Sequence, residues 1–192
     1  FGAFVVIHGG VAMNVEEMHQ PFVPHLDNIF FFLLLVCVLL SPAIACTWRR
    51  MWRFVARPVP LAAIIVFCFA FALLYSYNHP WRELNYARYH LLAFLLGAFP
   101  ARLLYGAMVA AGAVFLARTR FLRGDLVSFH IVTVLYLLPM WNVDPRYHVV
   151  PLLGLFLFRE HAPRWSEALV ASVCFGLSMW MFLGHRAYAF FM

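Results

Sequence analysis

Charge is scarce in this sequence. Only 11% of its 192 residues are charged, and lysine is absent altogether, so all 14 basic residues are arginine. A soluble domain carries roughly 25% charged and 45–50% apolar residues. At 65% apolar, with a mean hydropathy of +0.84, the chain lacks the polar surface to clothe a water-facing globule. Other absences narrow the class further. The four cysteines, Cys37, Cys46, Cys68 and Cys174, are scattered through apolar runs without metal-ligand spacing, which excludes a disulfide scaffold and a zinc module. None of the serines sits in a Gly-x-Ser-x-Gly elbow, and no glycine-rich phosphate loop is present. No repeat, low-complexity tract or cleavable signal sequence stands out. An aromatic content of 18% excludes a disordered chain.

What is present is a series of apolar runs. A bilayer-spanning helix needs about 20 mostly apolar residues, and candidates fall at 28–46, 59–77, 101–117, 126–141 and 166–184, with a shorter one at 147–158. The expectation is an all-α, polytopic transmembrane helical bundle forming a single membrane region over 1–192. Phe1 opens in what reads as the tail of an apolar segment, so the sequence reads as the C-terminal portion of a longer chain. Arginine placement sets the orientation. Residues 47–58 hold Arg49, Arg50, Arg53 and Arg57 without an acid, and 118–125 hold Arg118, Arg120 and Arg123 beside Asp125. Both are expected on the cytosolic side, with 159–165 returning to it. The net charge of +6 therefore concerns topology before nucleic acid, and no nucleic-acid partner is expected.

The opposite face collects the polar residues that topology does not explain. The first connection there holds His8, Gly9, Gly10, Glu16, Glu17, His19, His25, Asp27 and Asn28. The second holds His79, Arg82, Glu83, Asn85, Arg88, Tyr89 and His90, and the third Asn142, Asp144, Arg146, Tyr147 and His148. His19 and His25 are six positions apart with Pro21 and Pro24 between them, a poor match to the three- or four-residue repeat that puts helical ligands on one face, so no metal is expected. The sharpest local feature is Asp144-Pro145-Arg146-Tyr147. An arginine at a helix mouth clamps a phosphate through several donors, and a neighbouring carboxylate can orient it; the alternative is an exposed ion pair beside an interfacial tyrosine. Arg88 with Tyr89 is a second candidate phosphate or sugar contact. His130, inside an expected span, is either functional or a hydrogen-bonding partner of another helix.

The order of these motifs resembles the C-terminal part of the endoplasmic-reticulum dolichyl-phosphate-glucose-dependent α-1,2-glucosyltransferase family. That family has a helix ending in Asn-Gly-Gly, then a loop with two histidines leading into an aromatic run. Here stand His8-Gly9-Gly10, His19, and His25-Leu26-Asp27-Asn28 before Ile29-Phe30-Phe31-Phe32. The family's Tyr-x-His and Asp-Asn-Arg-His-Tyr stretches correspond to Tyr77-Asn78-His79-Pro80 and Asn85-Tyr86-Ala87-Arg88-Tyr89. Its Glu-Phe-Arg-Tyr before a proline-containing span corresponds to Asp144-Pro145-Arg146-Tyr147 and Pro151. Asn85 stands where the family has Asp, and Asn14-Val15-Glu16-Glu17-Met18 replaces its Gly-Asp-x-Ser-x-His stretch.

The resemblance implies a partial GT-C-like fold in the endoplasmic-reticulum membrane, with several spans and no cofactor firmly implied. Its implied partners are dolichyl phosphate glucose, the dolichyl-pyrophosphate-linked oligosaccharide and membrane lipid. Arg146 and Arg88 would hold the donor phosphate, Asp144 would orient Arg146, and His25, His79 and Tyr147 would shape the pocket. The general base is expected upstream of this sequence. Two other readings fit the same residues: another dolichyl-phosphate-sugar transferase, such as a mannosyltransferase, or a non-catalytic membrane subunit or channel partner.

Overall fold

Proline sets where several of the helices begin. Its missing N–H is free in any first helical turn and its φ is already helical. The protein is described by a computed structural model over residues 25–75, 96–124, 128–139 and 145–186, without the side chains of 145, 146 and 180–186. Among the described residues there are seven helices: α1 (Leu26–Leu39), α2 (Ser41–Val55), α3 (Pro58–Leu74), α4 (Phe99–Arg118), α5 (Phe129–Leu137), α6 (Pro145–Phe158) and α7 (Arg164–Arg186). Proline occupies the first turn of α2, α3 and α4 and opens α6. The only extended pairing among the described residues is a single antiparallel bridge between Phe121 and Arg159.

The all-helical class expected from sequence is therefore present among the described residues. Among the described residues α4 alone is long and apolar enough to cross a bilayer. α1 and α2 pass that test only as a pair, and they are bent by 93°. The apolar run 28–46 is thus divided, because Pro42 cannot donate the hydrogen bond that would carry α1 onward. The last regular bond of α1 runs from Leu40 N–H to Val36 O at 3.0 Å, and Val38 O, which Pro42 cannot serve, accepts instead from the Ser41 hydroxyl at 2.9 Å. The arginine-rich stretch 47–58, expected as a connection, is helical through Val55, burying Met51 and exposing Arg49, Trp52 and Arg53. α1 and α6, at 14 residues each, measure about 21 Å, short of a hydrocarbon core of about 30 Å.

Two apolar clusters order the helices. Phe31 and Leu34 of α1 meet Phe71 of α3 and Tyr105 and Val109 of α4. Farther along, Val36 and Leu40 join Val114, Phe115, Leu137 and Leu155. α1 and α4 therefore run in the same direction and α3 in the opposite one. They approach closely at Gly112, where a Cβ would fall on the carbonyl oxygen of Leu33. Around this core, apolar side chains face outward: Val59, Val66, Phe69, Leu73 and Leu74 on α3, Ile131, Val132 and Leu135 on α5, Val150 and Leu153 on α6.

Candidate functional site

The termini of α1, α3, α5 and α6 that adjoin the three polar connections meet at one end of the molecule. His25 precedes α1, and its backbone N–H donates to the carbonyl of Leu138, just beyond α5, at 2.9 Å. Asp27, in the first turn of α1, accepts a hydrogen bond at 2.6 Å from the hydroxyl of Tyr75, the residue after α3. Tyr75 itself belongs to an aromatic stack: its ring lies 4.4 Å from Phe71 and is met edge-on by Phe30 at 5.4 Å and Tyr105 at 6.2 Å. The stack fixes the hydroxyl against the start of α1. Burial pushes the Asp27 carboxyl up from its ordinary range, against the opposing pulls of the Tyr75 hydrogen bond and the His25 charge.

α6 contributes a fully buried histidine. His148 Nε2 lies 3.0 Å from the backbone carbonyl of Asn28. A carbonyl can only accept, so Nε2 carries the proton, and the ring is held edge-on to Phe31 at 5.0 Å. The neighbouring Tyr147 is half-buried. This end thus brings together His25, Asp27, Asn28, Tyr75 and His148 from three helices, whereas Tyr147 packs against the second apolar cluster.

Of the site residues expected from sequence, His25 lies at this gathering and Tyr147 lies beside its His148 in sequence, in the first turn of α6. Arg146 lies in the first turn of α6 with its side chain outside the described portion. Asp144, His79 and Arg88 lie outside the described residues, as do His8, Gly9, Gly10, Glu16, Glu17, His19, Asn85 and Tyr89. His148, a residue of the third polar connection with no expected role, carries a signal in the sequence: His148, Leu152, Leu155 and Arg159 recur at helical spacing, and all four are buried. Among the described residues no three His, Cys, Asp or Glu side chains come together to hold a metal ion.

A groove of about 330 Å³ lies on the flank of this core, lined by Ile29, Phe32 and Leu33 of α1, Leu116 of α4, and His130, Thr133 and Leu137 of α5. Its lining is almost wholly apolar apart from His130 and the Thr133 hydroxyl, which is buried without a hydrogen-bond partner among the described residues. His130 packs edge-on to Phe121 at 5.2 Å. No protein-family model, curated protein or solved structure matches the chain.

Proposed function

We propose that the chain is part of a polytopic, GT-C-like glycosyltransferase of the endoplasmic-reticulum membrane that moves glucose from dolichyl phosphate glucose to the lipid-linked oligosaccharide. The observation that carries this reading is the convergence of His25, Asp27, Tyr75 and His148 at one end of the helices, next to the first turn of α6 where Arg146 stands. A membrane setting is supported by the outward apolar faces of α3, α5 and α6, since exposed apolar surface on this scale needs lipid or a partner to cover it. The apolar groove beside α1 and α5 suits a segment of polyprenyl chain.

In the reaction, an acceptor hydroxyl oxygen bonds to the anomeric carbon of glucose while the bond from that carbon to the phosphate oxygen breaks. Dolichyl phosphate leaves with the bonding pair, and the hydroxyl proton passes to a general base. Charge develops on the departing phosphate, so catalysis requires fixed cations beside it. Arg146 and Arg88 would supply them, with Asp144 orienting Arg146; His25, His79 and Tyr147 would border the sugar. The test is deletion of the gene followed by sizing of lipid-linked oligosaccharides. The expected product is an oligosaccharide one glucose short, restored by the intact gene and not by an Arg146→Ala variant. Normal oligosaccharides in a deletion strain without a second copy would overturn the proposal, and full restoration by Arg146→Ala would remove the role given to Arg146.

A further inference from the structure

The other end of the molecule is built from arginine. A crevice of about 260 Å³ is lined by Arg50 of α2, Arg118 and Arg120 at and beyond the end of α4, and Arg159 after α6. Its wall is held by backbone hydrogen bonds between the two segments that carry three of these arginines. Leu122 N–H donates to Phe158 O at 2.9 Å, and Glu160 N–H donates to Arg120 O at 2.8 Å. Arg159, 2% exposed, is fastened from the other side: its two terminal nitrogens donate to the two carboxylate oxygens of Glu167 at 2.8 and 2.6 Å. Glu167 also accepts from Ala162 N–H at 2.6 Å, which folds 159–163 around the first turn of α7.

The charges do not cancel. Glu167 is spent on Arg159, and Arg118 lies over the Phe54 ring at 5.6 Å, a contact that leaves its charge intact. Arg50 and Arg120 form no ion pair among the described residues, and the one acidic side chain on the wall, Glu160, is exposed and likewise unpaired. The Nε of the buried Arg159 has no acceptor. The wall hydroxyls are already committed, Thr47 to Ala43 O at 2.9 Å and Thr119 to Phe115 O at 2.8 Å, so recognition here falls to the guanidinium groups and the exposed His161 ring. Guanidiniums lining one crevice from α2 and from the end of α4, none of them paired with a carboxylate among the described residues, suit a tetrahedral anion with three free oxygens better than a planar carboxylate with two.

We propose that this crevice binds a phosphate monoester, at the end of the molecule opposite the His25–His148 gathering. Two sources share that chemistry, the headgroup of an anionic lipid and a soluble phosphate compound. The experiment uses the full chain in nanodiscs of phosphatidylcholine, with or without phosphatidic acid, and separately titrates inorganic phosphate. In the wild type, either phosphatidic acid is retained through delipidation or inorganic phosphate binds saturably; the first identifies a lipid headgroup and the second a soluble ligand. The double variant Arg50→Gln/Arg120→Gln is expected to weaken the observed binding about thirtyfold, from two surface cations lost. Arg57→Gln, an exposed arginine of the same basic stretch outside the crevice, should bind as the wild type does. Neither Arg50 nor Arg120 holds the fold through an ion pair among the described residues, so an unchanged circular dichroism spectrum accompanies the loss. Absence of binding to both probes, or equal binding by the double variant and Arg57→Gln, would overturn the proposal.

Discussion

Replacing Gly112 with alanine tests the packing of α1 on α4 with a single methyl group. The new Cβ would land on the carbonyl oxygen of Leu33, with the Leu33 carbonyl carbon at 3.1 Å and Cα at 3.3 Å. All three atoms are backbone, so no rotamer change relieves the collision and the two helices must separate. A gap of 0.5–1 Å forfeits about a quarter to a half of each dispersion contact across it. The neighbours that would lose contact include Phe31, Leu34, Tyr105 and Val109, all buried. Overpacking of this kind costs about 1–3 kcal/mol, and the rigidity of the obstacle places Gly112→Ala near the upper figure. The melting temperature of the purified protein in detergent should then fall by about 6–12 °C, at roughly 2–4 °C per kcal/mol for this chain length. Two controls isolate the cause. Gly176→Ala, where a Cβ meets nothing within 4 Å, should leave the melting temperature unchanged or slightly raised. Gly106→Ala meets only the Phe71 side chain, at 3.2 Å, so its smaller loss should be relieved by Phe71→Leu, whereas Leu33→Ala should not rescue Gly112→Ala. A Gly112→Ala protein that melts with the wild type, or that Leu33→Ala restores, would refute the backbone-collision argument.

Three further outcomes follow from buried polar groups. Because the Asp27 carboxyl is pushed up in the folded protein, the native state holds its proton more tightly than the unfolded chain does. Its contribution to stability is greatest below the unfolded value of 3.8 and is lost as pH rises through the raised folded value. Asp27→Asn, which keeps an acceptor for Tyr75, should remove that fall from a melting-temperature profile against pH and be at least as stable as the wild type at pH 7; a less stable variant at pH 7 would contradict the sign. Glu167→Leu should destabilise by about 3 kcal/mol, since it leaves Arg159 buried without its counter-charge, while Arg159→Met/Glu167→Leu should recover much of the loss in denaturant titrations. His148→Phe keeps the ring and removes the donor to Asn28 O; a loss of about 1–3 kcal/mol is expected from the same titrations, and a neutral result would show that the bond contributes nothing net.

Most helices were legible because the apolar runs are bounded by residues with one structural meaning. The runs 59–77, 101–117, 147–158 and 166–184 overlap α3, α4, α6 and α7; Pro58, Pro100 and Pro145 stand in the first turn of the first three and Pro163 directly before the fourth. The break after Leu39 was not read, since a count of apolar residues carries no direction; Ser41-Pro42 held the signal. The arginines of 47–55 mask its helical state, since clustered charge marks a connection between spans, yet arginine is a good helix former and Met51 is buried on one side of the segment. At the candidate site, adjacency in sequence drew attention to Arg146 and Tyr147, while the buried position belongs to His148, which only the helical period of α6 picks out.

That stripe on α6 has a mechanical consequence. His148 is bonded to α1 and Arg159 to α7, and the eleven residue steps from one to the other span about 16 Å along the helix axis. A slide of α6 by one residue, about 1.5 Å, would break both bonds, because neither tolerates more than a few tenths of an ångström of stretch. α6 therefore acts as a tie rod between the two ends, and α1, α6 and α7 either travel together or first rupture a buried polar bond.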